Sequence, residues 1–188
     1  MQFTYALLAT ALAVAGLSRV VETVHPPDQE KLDDAAILAA VDFMHTAEIE
    51  SGQLAQEQGE AQEVKELGRS LVAAHTQARD DARNLARKAG LNPKRAEADP
   101  LAREHGEALT RLRGQEGKAF DRAFVDHQVA FHQTALEKVK TSFIPSASRP
   151  ELRAYLNRLA PALQAHLEEA RALQTRIVAF SGALHSSP

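Results

Sequence analysis

The chemistry this chain could do rests on four residues, Glu48, His75, His132 and His166. One carboxylate and three imidazoles make a donor set for a divalent transition metal. Mixed oxygen and nitrogen ligands suit Zn, Fe, Mn or Cu without choosing among them. Each of the four sits where the apolar stripe of a long helix-period segment would otherwise be aliphatic. The last segment shows it best, with Leu152, Leu156, Leu159, Leu163, His166, Ala170, Leu173 and Ile177 on one face. The first sets Glu48 among Ile37, Val41, Met44, Ser51 and Ala55, flanked by Leu38, His45 and Ile49. In the second, His75 follows Val64, Leu67 and Leu71 and precedes Ala78, Ala82 and Leu85. The third has Phe120, Phe124, His127, Phe131 and Ala135 along one edge of its buried face. Asp121, Val125, Gln128, His132 and Val139 lie along the other.

Helix geometry lets these residues meet. At ~1.5 Å rise per residue, His45 and His75 are about equally far from a turn at Gly59, with Glu48 one turn closer. His132 and His166 come within about two turns of equal height around Pro145. A lone ionised carboxylate in a core costs several kcal/mol unless compensated. A histidine partner, hydrogen bonds from Tyr155 or Ser51, or water would make this a structural polar layer; a bound metal is the other reading. Both stand at this point. Tyr155 and Asp121 are expected to support the site without being ligands. Asp121 also suits the positive end of its helix, with anchoring of a histidine or arginine as its alternative role.

Known catalytic patterns are missing. A di-iron centre needs Glu-x-x-His on two helices, and the sole instance, Glu22 to His25, precedes the bundle; Asp42-x-x-His45 is the nearest core approximation. No phosphate-cradling loop, Gly-x-Ser-x-Gly elbow or His-Glu-x-x-His occurs. An enzyme is therefore not expected, and a metal-dependent oxidoreductase is the disfavoured alternative. A purely structural core in an envelope or stress-related interaction module is the other.

Four long helices must position the donors. They run from about Asp33 to Gln58, ended by Gly59; from Glu60 to Ala89, ended by Gly90 in a left-handed turn; from Gly117 to Ser142, broken at Phe143-Ile144-Pro145; and on from a capping box, Ser148-x-x-Glu151, to Ser181-Gly182. Pro161 should bend the last helix and free the Asn157 carbonyl. Asp99-Pro100 opens a short helix through Leu101, Leu109 and Leu112 in the long connection between the second and third helices. The glycines mostly mark helix ends and breaks. The fold class is all-α, an antiparallel four-helix bundle with a long helix-containing connection between helices 2 and 3.

Cysteine is absent from the 188 residues, which excludes disulfides, thiolate sites and a lipid-modified cysteine. Net charge is −3, and the basic run Arg83 to Arg95 is diluted by Asn84, Leu85, Leu91 and Asn92, so no nucleic acid partner is expected. No protein partner can be named. Tyr5 to Leu17 reads as the core of an export signal, with Ala13 and Ala15 near a cleavage point. It is short for a membrane span, and Met1 to Thr4 carries no Lys or Arg. An uncleaved anchor and an unusual first helix are the alternatives, and membrane contact is expected only through that segment. The division is thus a signal peptide over 1–19, a flexible lead-in over 20–32, the bundle over 33–180 and a tail over 181–188, with a periplasmic or otherwise exported location. His25 and His185 fall outside the bundle, His105 on the connecting helix, and His127 reads as a packing residue.

The order and spacing of several stretches resemble a bacterial family catalogued as domain of unknown function 4142. They are Asp34-Ala-Ala-Ile with Ala47-Glu48-Ile49, Ala74-His75, Phe120-Asp121-Arg122-Ala123-Phe124-Val125 with His132, and Leu159-Ala160-Pro161 with His166-Leu167. The likeness spans about Asp33 to Arg176. It implies a ferritin-like bundle, export and no assigned reaction. Glu48, His75, Asp121, His132, Pro161 and His166 fall on the family's pattern, whereas His45 and His127 do not. The uncharged start and Phe143 to Pro150 depart from it. A ferritin-like fold does not by itself imply iron chemistry.

Overall fold

Asp33 opens the first helix by accepting the Ala36 N–H at 2.6 Å, which satisfies one of the donors a helix start leaves bare. Helix α1 (Asp34–Gln58) then runs to Gly59, and α2 (Gln62–Ala89) ends at Gly90 in the left-handed conformation, φ 65°. The connection carries α3 (Pro100–Arg113), followed by α4 (Gly117–Lys138), a π turn (Val139–Phe143), one turn of α5 (Ile144–Ser146) and α6 (Pro150–Ala183). This computed structural model describes residues 32–94 and 100–183. The expected signal peptide, nearly all the lead-in, His25 and His185 lie outside the described residues.

The expected bundle is present. Short links make α1 antiparallel to α2 and α4 antiparallel to α6; α2 meets α6, α1 meets α4, and α3 lies against α1 and α4. The core is in two parts. Ile37, Val41, Met44, Leu136, Val139, Phe143, Leu152 and Leu156 belong to one cluster, and Leu54, Val64, Leu67, Leu71, Phe120, Phe124 and Leu173 to the other. Along α1, α2 and α4 the donors fall between the residues of the two clusters, and on α6 His166 sits at the edge of the first, beside Leu167. A polar storey separates two greasy ones.

Two buried aspartates lock the hairpins to each other. Asp34, at the start of α1, accepts the Ser148 N–H at 2.8 Å, the Ser148 hydroxyl at 2.7 Å and the Arg149 N–H at 3.1 Å. Burial alone would push its carboxyl up, but these bonds and the Arg149 guanidinium hold it below the usual range. Asp121, on the first turns of α4, accepts the Glu60 and Ala61 N–H groups of the α1–α2 turn at 2.9 and 2.8 Å. Each hairpin supplies the carboxylate that closes the turn of the other.

Four expectations change. Ser148 spends its hydroxyl on Asp34 and α6 opens with Pro150 at its first position, so the reciprocal capping box with Glu151 is replaced by a cap from α1. The third helix is not broken at Phe143, because a π turn carries it into α5. Pro145 cannot bond the Thr141 carbonyl and its ring crowds it; the wider turn relieves that clash. Helix α6 runs through Ser181-Gly182 to Ala183, and Pro161 lies inside it as expected. Pro161 and Asn157 are both exposed, where water can take the freed carbonyl. Finally, two glycines are not end markers. A methyl on Gly68 would lie 2.6 Å from the Gly52 carbonyl oxygen, and one on Gly52 would lie 2.8 Å from the Gly68 oxygen. Here α1 and α2 touch backbone to backbone.

Candidate metal centre

Glu48 and His132 are fully buried and His75 nearly so, while His166 is half-buried. The rings of His75, His132 and His166 form a triangle with centroids 5.1, 5.3 and 5.7 Å apart. One nitrogen from each lies within 4.8 Å of the other two. Glu48 Oε2 is 3.9 Å from His132 Nε2. The three expected histidines, from α2, α4 and α6, are thus brought together, and Glu48 of α1 lies beside one of them, His132.

Hydrogen bonding shows where the lone pairs are. The Tyr155 hydroxyl donates to the Ala78 carbonyl at 3.1 Å and so accepts from His45 Nε2–H at 2.7 Å. His45 Nδ1 is then an acceptor, and its contact with His75 Nδ1 at 2.9 Å requires the proton to sit on His75. The reverse assignment would set two bare oxygens, of Tyr155 and Ala78, against each other. His75 Nε2 is therefore a lone pair, 3.3 Å from His166 Nδ1. His132 donates Nδ1–H to the Gln128 carbonyl at 3.0 Å, which leaves its Nε2 as a lone pair too. That atom and both Glu48 oxygens are buried without a hydrogen-bond partner among the described residues.

Burial keeps the group uncharged. It raises the Glu48 carboxyl to about 8, with the Gln128 amide pulling only partly the other way from beyond good hydrogen-bond geometry. It depresses His75 to about 2 and His132 to about 3, each helped by the neighbouring histidines, and lowers His166 as well. His45 is lowered to about 4, and Tyr155 is raised, again chiefly by burial.

These residues fit a metal ion. With bonds of ~2.0–2.1 Å, a tetrahedral site has ligand atoms roughly 3.3–3.4 Å apart. His75 Nε2 and His166 Nδ1 already stand at 3.3 Å, whereas Glu48, 3.9 Å from His132, lies outside the three-histidine cluster and would have to move in to complete a fourth position. The histidines carry the outer hydrogen bonds that ligating imidazoles usually have, through Nδ1–H to His45 and to Gln128.

Two supports expected from the sequence play other parts. Tyr155 serves the site through His45 rather than Glu48, and Asp121 serves the α1–α2 turn rather than any histidine. Ser51 donates to the Glu48 backbone carbonyl at 3.2 Å, not to its carboxylate, and accepts from Gln128 Nε2 at 3.1 Å. Asp42 pairs with Arg83 at 2.5 Å on the flank of the bundle. His45 and Gln128 are the members that sequence reasoning did not assign. The signal for His45 was its height, level with His75.

Solved structures share this architecture. A DUF305 protein of Streptomyces coelicolor, described as secreted, superposes with a TM-score of 0.65 at 12% identity, covering 77% of this chain and 93% of that one. CopM in its Cu(II)-bound form gives 0.61 at 16% identity, covering 77% and 98%. No curated protein matches the sequence. No helix among the described residues is long and apolar enough to cross a membrane. A profile of one family, described as a domain of unknown function, matches residues 21–173, and the chain belongs to that family, DUF4142.

Proposed function

We propose that this protein is an exported bundle that binds one divalent transition metal through His75, His132 and His166, with Glu48 as the fourth ligand. The observation that supports it most is the cluster of one nitrogen each from His75, His132 and His166 within 4.8 Å of one another, with His132 Nε2 and both Glu48 oxygens buried beside it without a hydrogen-bond partner among the described residues. Leaving such acceptors unmet in a core costs about 1–3 kcal/mol each. A divalent ion would meet them together and would draw the proton off Glu48. His166, the one half-buried member, marks the side from which an ion enters. The fold shared with a protein solved with Cu(II) makes Cu(II) the first ion to try, beside Zn(II), Mn(II) and Fe(II). The apolar run Tyr5 to Leu17 supports export.

The test is elemental analysis and thermal melting of purified wild type and of the double variant His75→Ala, His166→Ala. Wild type should bind one ion per chain and melt higher when loaded, and the variant should do neither. Metal-free wild type whose melting no ion changes would leave only a structural polar layer. For export, N-terminal sequencing after fractionation should find the chain beyond the membrane; intact Met1 on cytoplasmic protein would refute it.

A further inference from the structure

A second polar group lies away from the metal centre, under α3. His105 is 7% exposed, and its Nδ1 is buried with no hydrogen-bond partner among the described residues; the same holds for Nε2 of His127. Both rings line one cavity of about 250 Å³ between α3, α1, α4 and the π turn. Its inner walls are mostly aromatic and aliphatic, with Phe43, Phe131 and Phe143 prominent, and Thr134 adds one hydroxyl. The π turn matters here, because it continues the helix and brings Phe143 to this wall. Phe43 meets the His105 ring edge-on at 5.9 Å, and Phe131 lies 5.9 Å from His127.

An apolar hollow with two unmet buried nitrogens suits a ligand that is mostly hydrocarbon with one well-placed polar end. Its size sets the scale. An apolar cavity of about 150 Å³ accepts benzene, so this one has room for a ring with substituents. His105 Nε2 faces Glu50 Oε2 at 3.1 Å, and a carboxylate can only accept, so that nitrogen carries the proton. A ring holding its one proton at Nε2 leaves Nδ1 as an acceptor, open to an O–H donor from the ligand. Burial lowers His127 to about 4, which keeps that ring neutral with one more hydrogen-bonding nitrogen. The mouth is different. Arg111 and Lys138 line it from exposed positions and outnumber Glu104, the acidic residue there.

We propose that this cavity binds a small single-ring phenolic carboxylate, with its hydroxyl inward at His105 and His127 and its carboxylate outward at Arg111 and Lys138. The polarity runs from buried imidazoles at the bottom to cations at the rim, and the ligand's groups follow the same order. The site is distinct from the metal centre, the nearest link being Phe131, whose ring meets His132 edge-on at 6.0 Å.

The probe is 4-hydroxybenzoate, titrated into the full chain by calorimetry and by protein-observed NMR. One molecule should bind per chain, with shifts at residues around Phe43, Phe131 and Phe143. Benzoate, lacking the hydroxyl, and phenol, lacking the carboxylate, should each bind about tenfold more weakly. His105→Phe keeps a ring but removes the acceptor and should cost a similar factor. Ala108→Leu, which fills the cavity from α3, should abolish binding; circular dichroism on both variants checks that they fold. The double variant His75→Ala, His166→Ala should bind the probe as wild type does. No saturation by about 10 mM probe would overturn the proposal. So would equal binding of benzoate and 4-hydroxybenzoate, or undiminished binding to a folded Ala108→Leu protein.

Discussion

His45 and His75 meet through their Nδ1 atoms at 2.9 Å, and a single proton serves both. Since the other His45 nitrogen is committed to Tyr155, that proton belongs to His75 and the His75 lone pair faces the centre of the bundle. A tyrosine in α6 and a histidine in α1 thus decide what a histidine in α2 can do.

Tyr155→Phe tests this relay. The ring stays, but His45 Nε2–H loses its acceptor and the Ala78 carbonyl its second donor. We expect a loss of about 1–3 kcal/mol in denaturant unfolding and a metal affinity about 10–100-fold lower, as for other outer partners of ligating histidines. Unchanged metal titrations would mean that something else orients His75.

Acid should unfold the metal-free protein early. His45, His75 and His132 titrate near 6.5 when unfolded but only near 4, 2 and 3 in the fold. The unfolded chain therefore binds more protons below that pH, and mass action favours it. Their contribution is full above about pH 6.5 and is lost as pH falls toward 2–4. Urea midpoints between pH 7 and 4 should drop steadily; a flat profile would contradict neutral buried imidazoles.

Glu48 has the opposite sign. Its folded value of about 8 lies above the ordinary 4.5, so its stabilising share is present below pH 4.5 and disappears as pH rises through 8. Glu48→Gln should raise the metal-free melting temperature relative to wild type at pH 9. It should also weaken metal binding at least tenfold, and remove the proton released on loading. A variant that melts lower than wild type at pH 9 would show that the carboxylate is stabilised in some other way.

Gly68→Ala sets two effects against each other. Helix propensity alone favours alanine by roughly 0.5–1 kcal/mol. The added methyl, however, would sit 2.6 Å from the Gly52 oxygen and 2.9 Å from the Ala55 methyl, both in a facing helix that must move. Overpacking of that kind costs typically about 1–3 kcal/mol, so the thermal melt should fall. A rise would mean that α1 and α2 can separate freely.

The donors were readable because a helix period makes an intruding Glu48 or His166 conspicuous in a run of leucines. His45 was harder to see, since it stands at the edge of its stripe and its burial depends on how closely α1 approaches α2. That approach rests on Gly52 and Gly68, whose meaning appears only when two helices are placed side by side. Gln128 looked like a polar residue on a mixed face; its amide donates to Ser51, while the bond from His132 goes to its backbone carbonyl. The tasks of Asp34 and Asp121 were out of reach for a similar reason. Their partners lie in turns 61 and 114 residues away in the chain, and no local rule selects them.

Those two aspartates make the halves of the molecule mutually dependent. A fragment holding only α1 and α2 would leave the amides of Glu60 and Ala61 bare, and one holding α4 to α6 would do the same to Ser148 and Arg149. Neither piece should stand by itself, yet each carries the key that fits the other. Mixed together, severed halves would be expected to reassemble into a single cooperative body, with the imidazoles and the carboxylate restored only at that moment.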